Sequence, residues 1–160
     1  MIDKIASLDN IALAAYKSFR GKQHKATVIK FRKSFLENIE NIRDEILEDR
    51  LKIGEYHRFT IFEPKERLIC AAPLKQRILH HAIMNVCHGI FDKNQIFDSY
   101  ASRPSKGSHK AVVRLKEMLG GYSYFVKLDI RKYFDSVDHA KLKIMLCHLF
   151  KDQDLLELFD

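Results

Sequence analysis

The sequence predicts an α+β fold: a helical N-terminal region, then a β-hairpin, then more helix, and a buried strand toward the C-terminal end. Three observations carry this. Apolar residues recur every three or four positions through most of the first 50 residues, and two short β-prone runs flank a Pro-Lys-Glu turn. Further on, YSYFVKLDI gathers aromatic and β-branched residues into one run.

The elements follow in order. Asp9 before IALAAYKSF, with Gly21 just past the last apolar turn, reads as an N-capped helix with a glycine stop. Over residues 26–50, Val28, Phe31, Phe35, Ile39, Ile42 and Ile46 form one apolar stripe, which predicts a single long helix. RFTIFE and RLICAA, separated by Pro64, Lys65 and Glu66, read as a hairpin with basic residues near its tip. Helical spacing returns through Leu74, Ile78, Ala82, Ile83, Val86 and Ile90. His80, His81 and His88 lie on this helix. Adjacent His80 and His81 diverge rather than converge on a metal, so all three are read as surface or packing histidines. SYASRPSKG is a loop by composition, and helix resumes from Ser108 to Gly120. The strand over 122–130 then delivers Asp129 near its end. RKYFDSVDH turns into a last helix, with Asp138 as its N-cap and Leu142, Met145, Leu146 and Leu149 as its apolar side.

Composition bounds what the chain does. With 160 residues, 46% apolar and 31% charged, it matches one soluble globular unit or a piece of a larger one. Such a length buries about 68–70% of the unfolded surface, enough for a core without disulfides or a structural metal. No run approaches the roughly 18 apolar residues of a membrane helix, and MIDKIASLDN lacks the pattern of a secretory signal. A cytoplasmic location without membrane association is expected. Cys70, Cys87 and Cys147 are odd in number, far apart and set in apolar runs, so buried reduced thiols are expected.

The formal net charge is +7, and it is unevenly placed. Lys17, Arg20, Lys22, Lys25, Lys30, Arg32 and Lys33 fall within 17 residues that contain no acid. Neutralising phosphates is one use for such a strip. The alternative is a solvated helix face balanced by the acids that follow, Glu37 to Asp49, and charge alone leaves both open.

A carboxylate at the end of a core strand, followed by aromatics and a turn into helix, suits a metal-dependent phosphoryl-transfer site. Asp offers hard oxygen ligands to Mg²⁺, and two ions about 3.5–4 Å apart can activate a 3′-hydroxyl and stabilise leaving pyrophosphate. Taken singly, Asp129 reads more readily as a helix cap or ion-pair partner.

Three segments in order change that reading: RLICAAPLKQRILHHAI, then DSYASRPSKGSHKAV, then FVKLDIRKYFDSVDH. Together they resemble the reverse transcriptase family, from about Asp9 onward. The last is similar to that family's first polymerase motif, an aspartate followed five residues later by an aromatic, and the earlier two to its fingers blocks. The resemblance is strongest to the prokaryotic branch of retron, group II intron and diversity-generating retroelement enzymes. YHRFTIFEPKERLICAAPLKQRILHHAI and SYASRPSKGSHKA favour the last of these.

The resemblance implies residue roles. Asp129 matches the metal-binding aspartate, and the Ile130 carbonyl would face the second ion. Phe134 matches the steric gate that leaves no room for a ribose 2′-hydroxyl. Lys65 and Arg67 match the basic fingers residues that fold over the incoming triphosphate, the alternative being an exposed hairpin tip. Arg77 lies in the same block and is equally read as a helix-face charge. Arg103, Lys106 and Lys110 match the segment near the template, where backbone-directed charge suits A-form RNA. The implied partners are an RNA template, a DNA primer, deoxynucleoside triphosphates and an accessory protein, with Mg²⁺ as cofactor.

The chain also departs from the family. It holds no Asp-Asp pair, no second nucleotide motif and no thumb, so two of three expected carboxylates are missing. The expectation is fingers in residues 1–120 and the start of a palm in 121–160, inactive in isolation. The competing expectations are a noncatalytic nucleic-acid-binding module and a remnant that associates with a protein.

Overall fold

Apolar periodicity lays out the N-terminal helices, and local polar chemistry shifts their ends. A computed structural model describes residues 1–159. Among the described residues are eight α-helices and one two-stranded antiparallel sheet, an α+β fold. In chain order these are α1 (Ile2–Ile5), α2 (Leu8–Phe19), α3 (Ala26–Lys33), α4 (Phe35–Leu47), β1 (His57–Phe62) and β2 (Glu66–Ala71). There follow α5 (Leu74–Asn94), α6 (Ser108–Leu119), α7 (His139–Leu149) and α8 (Gln153–Leu158), with a 3₁₀ turn at Phe134–Ser136 before α7. The chain forms two compact units, Met1–His88 with residues 150–159, and Gly89–Leu149.

Two helix boundaries differ from expectation. Ser7, not Asp9, caps α2, its Oγ accepting the Asn10 N–H at 3.4 Å. Asp9 falls instead in the first turn, where its charge meets the positive end of the helix. The helix expected over 26–50 is broken at Ser34, whose φ of −118° and ψ of 50° are not helical. The break frees the Phe31 carbonyl, and the Asn38 side-chain amide donates to it at 3.0 Å. With the chain bent there, Phe31 and Phe35 both reach Phe19, at ring separations of 5.8 and 6.5 Å. An unbroken helix keeps the same apolar period, which is why the sequence pattern hides the bend.

The first unit has a continuous core. Ile11, Ala14, Ala15 and Phe19 of α2 are buried, as are Ile39, Ile42 and Ile46 of α4 and Ile78, Leu79, Ala82 and Cys87 of α5. Phe150 and Leu155 complete it from the C-terminal segment. Asn10 ties α2 to its neighbours: its Nδ2 donates to the Ile5 and Ala82 carbonyls, both at 3.0 Å, and its Oδ1 accepts from Asn85 at 2.9 Å. Asn10→Ala leaves those partners without their bond and is expected to cost about 1–3 kcal/mol, read from the urea midpoint against the parent chain.

The hairpin forms as expected. Its register pairs His57 with Ala71, Ile61 with Arg67 and Phe62 with Glu66. Most of it is exposed, including Phe59, Phe62 and Leu68. Cys87 is buried and Cys147 is half-buried, but Cys70 is exposed, because it lies on β2 of this uncovered hairpin. Among the described residues no disulfide forms.

The second unit has no buried residue between Gly89 and Leu149. The strand expected over 122–130 does not form: this run has no regular secondary structure, and Tyr124, Val126 and Leu128 are 91%, 82% and 87% exposed. A strand needs a neighbour for its N–H and C=O groups, and the one sheet among the described residues holds β1 and β2 alone. The aromatic and β-branched residues that read as a buried strand therefore stand in solvent. Asp138 caps α7 as expected, its Oδ1 accepting the Lys141 N–H at 3.1 Å. No helix among the described residues is long and apolar enough to cross a membrane.

Candidate nucleic-acid and nucleotide site

The hairpin and the loop after α5 carry the basic residues singled out from sequence. Lys65 lies in the β1–β2 turn and Arg67 is the second residue of β2. Both are exposed, and neither forms an ion pair among the described residues. Their charge is therefore open to an anion. Glu66 between them belongs to the alternate face of the strand.

Arg103, Lys106 and Lys110 differ from one another in what they touch. Arg103 is the internal tie of its loop: Nε donates to Asp92 at 2.7 Å, Nη1 to the Ile96 and Ser99 carbonyls at 2.9 and 3.2 Å, and Nη2 to the Asp92 carbonyl at 3.3 Å. Only 10% of its side chain is exposed. Five donors in a fixed fork suit this use, which a lysine could not reproduce. Lys106 caps the Phe97 carbonyl at 2.8 Å and sits 3.7 Å from the Phe97 ring centroid and 4.8 Å from that of Tyr100. Lys110, on the first turn of α6, is exposed.

The loop closes on Gly107. Its N–H donates to the Tyr100 carbonyl at 3.0 Å with φ at +105°, in the left-handed region that favours glycine. The loop and α6 bound an open cleft of about 740 Å³ lined by Phe97, Tyr100, Lys106, Lys110, Val113 and Arg114 among others. Arg114 donates to Asp98 at 3.1 Å, and the Tyr100 hydroxyl donates to the same carboxylate at 3.0 Å. The Arg114 hydrogen bond is the main reason the Asp98 carboxyl titrates below its ordinary range. Sequence reasoning named the two lysines of this cleft and missed Phe97, Tyr100 and Arg114. Two aromatics followed by two basic residues, Phe97, Tyr100, Arg103 and Lys106, at every third position were the available signal.

Asp129 and Ile130 lie in the irregular run before the 3₁₀ turn, and Ile130 is 64% exposed. Lys132 takes φ of 51°, and the turn closes with the Ser136 N–H donating to the Lys132 carbonyl at 3.0 Å. This turn sets Phe134 into solvent, 87% exposed, with Tyr133 against its ring at 5.2 Å and 73°. Among the described residues no group of three or more His, Cys, Asp or Glu is placed to hold a metal ion. One carboxylate and one backbone carbonyl do not make a two-ion site, so the donors of this chain do not fit a Mg²⁺ pair by themselves.

No protein-family model matches the chain. Its relatives are intron proteins. It is similar to nuclear intron maturase 2, mitochondrial, of Arabidopsis thaliana, 25% identical over 142 residues, covering 79% of this chain and 19% of the relative. It is also similar to the putative COX1/OXI3 intron 1 protein of Saccharomyces cerevisiae, 21% identical over 122 residues, covering 75% of this chain and 15% of that one. The group II intron-encoded protein LtrA of Lactococcus lactis subsp. cremoris is 27% identical over 84 residues, covering 51% of this chain and 14% of LtrA. The chain thus spans less than a fifth of the length of these relatives.

Proposed function

We propose that this chain is the fingers, residues 1–120, and the start of the palm, residues 121–160, of a reverse transcriptase of the group II intron branch. The reaction is extension of a primer 3′ end with deoxynucleoside triphosphates on an RNA template. The observation that carries the reading is the likeness to intron maturases and a group II intron-encoded protein, the broadest covering 79% of this chain. Those names favour the group II intron branch over the retron and diversity-generating retroelement branches.

In this reading Lys65 and Arg67 grip the triphosphate, since both charges are exposed and unpaired on a hairpin that stands clear of the core. Lys106 and Lys110 face the template backbone, and Arg103 acts through them by holding the loop. Asp129 is the aspartate of the reacting centre and Phe134 the gate beneath the sugar. Mg²⁺ is the cofactor of such a reaction. Its remaining carboxylate ligands lie outside this chain, which is therefore inactive in isolation.

Primer extension on an RNA template, with Mg²⁺ and all four deoxynucleotides, tests the reading. The 160-residue chain is expected to give no product, whereas the longest product of its reading frame extends the primer and loses that activity with Asp129→Ala. Extension by the 160-residue chain itself, abolished by Asp129→Ala, would show the catalytic set to be complete here. A second reading, a noncatalytic RNA-binding or protein-associating remnant, is favoured by the lone carboxylate. Inactivity of every longer product would select it.

A further inference from the structure

Helices α2 and α5 enclose a groove that the polymerase reading does not use. A ladder of amides fixes it: Lys17 Nζ donates to Asn85 Oδ1, Asn85 Nδ2 to Asn10 Oδ1 at 2.9 Å, and Asn10 Nδ2 to the Ala82 carbonyl at 3.0 Å. The groove is about 360 Å³, with Leu13 and Met84 as its apolar floor and Lys17, His81, Asn85 and His88 around them. No acid lines it. Lys17 is bound to a neutral amide rather than a carboxylate, so its charge is uncompensated. Lys22 follows α2, and Arg77 lies one turn before His81 on α5, its Nε buried without a hydrogen-bond partner. Lys17 from the acid-free strip thus meets His81 and His88 of the helix after the hairpin in one groove, and Lys22 and Arg77 lie near enough to act on His81 through their charge.

We propose that this groove is a docking site for the phosphate backbone of RNA, held by Lys17, Lys22 and Arg77, with His81 as the group whose protonation tunes the grip. The occupant rests on the reading of the chain as one that works on RNA; the groove and its charge do not. Complementarity argues for the backbone rather than a base. The groove has cations and no acid, whereas its floor has no aromatic ring on which a base could stack.

The charges facing His81 are Lys17 and Lys22 from α2 and the turn after it, and His80 and Arg77 from α5, all of them basic, while His88, two turns further along α5, lines the same groove. Partial burial first, and then these charges, hold the His81 pKa below the ordinary histidine value. A phosphate in the groove offsets the same charges and draws the pKa back up. RNA binding therefore takes up a proton, and affinity rises as the pH falls through the bound-state pKa and levels off below that of the free chain.

Fluorescence anisotropy of the full chain with a single-stranded RNA oligomer, across a salt series at pH 8 and pH 5.5, tests this. Lys17→Gln with Lys22→Gln is expected to weaken binding about tenfold at low salt and to flatten the slope of log affinity against log salt by about 1.4, two phosphate contacts' worth. His81→Gln is expected to remove a pH dependence of up to about tenfold, the equivalent of a one-unit pKa change. If the Lys17 variant folds poorly by circular dichroism, Lys22→Gln alone, which does not touch the amide ladder, is expected to flatten the slope by about 0.7, one phosphate contact's worth. RNA binding with an unchanged slope in these variants would overturn the groove and leave the function reading standing. A parent chain that binds no RNA at all would overturn the occupant and that reading together. A pH dependence that survives in His81→Gln would remove the histidine from the proposal.

Discussion

Phe150→Ala is expected to lower the unfolding free energy by about 3–5 kcal/mol, the transfer term of a buried ring plus the cavity it leaves. Phe150 is 1% exposed and packs edge-on against Phe159, with centroids 5.6 Å apart. It anchors residues 150–159 in the first unit, and two polar contacts support the anchor. Asp152 caps α8 by accepting the Leu155 N–H at 3.0 Å, and it pairs with the Met1 ammonium. That ammonium, and then the Leu155 N–H, hold the Asp152 carboxyl below its ordinary range. Because its folded pKa is lowered, its contribution is present above the ordinary carboxylate pKa and fades as the pH falls through the lowered value. A domain's whole stability is about 5–15 kcal/mol, so losing the ring removes a large part of it. Urea unfolding followed by circular dichroism reads the change. A cost under about 1 kcal/mol would mean that the C-terminal segment does not complete the core.

What the sequence made legible was local. Helical periodicity placed α2, α4 and α5 to within a few residues, and the Pro-Lys-Glu turn placed the hairpin. Ser7 took the cap from Asp9 because either residue can accept an N–H, and the sequence pattern does not rank two candidates two positions apart. The break at Ser34 escaped because Phe31 and Phe35 keep the helical spacing on either side of it. The run over 122–130 escaped for a different reason. Its aromatic and β-branched content is real, with Tyr122, Tyr124, Phe125, Val126 and Ile130 in one run, but a strand is a property of a pair and composition reports only one member.

The site divides along the same line. That Lys65 and Arg67 are exposed near a hairpin tip follows from turn chemistry and was readable. That Arg103 is spent on its own loop was not, because an arginine tying down carbonyls and an arginine awaiting phosphate look alike in composition. The α2–α5 groove was half visible. The acid-free strip was evident, but its convergence with Arg77 and His81 depends on how two helices cross.

Phe134→Ala is expected to change specificity and not stability, the opposite of Phe150→Ala for the same chemical change. Phe134 is 87% exposed and its ring meets Tyr133, so removing it leaves no cavity and is expected to shift the unfolding free energy by less than about 0.5 kcal/mol. The alternative role, a core aromatic, would cost about 3–5 kcal/mol and depress every substrate together. Under the proposed function, the turn after Asp129 carries Phe134 beneath the sugar of the incoming nucleotide, where ring volume excludes a 2′-hydroxyl. In the longest active product of the reading frame, its truncation is then expected to raise ribonucleotide use relative to deoxynucleotide use by about 10-fold to 1,000-fold, or about 1.4–4 kcal/mol of lost discrimination. The measurement is kcat/KM for one ribonucleotide and its deoxy counterpart, beside the unfolding midpoint of the same variant. An unchanged ratio at unchanged stability would remove the gate while leaving Phe134 as an exposed ring of the 3₁₀ turn. An unchanged ratio with a large loss of stability would show instead that the ring is buried in the longer protein, where the uncovered apolar run of 122–130 is buried with it.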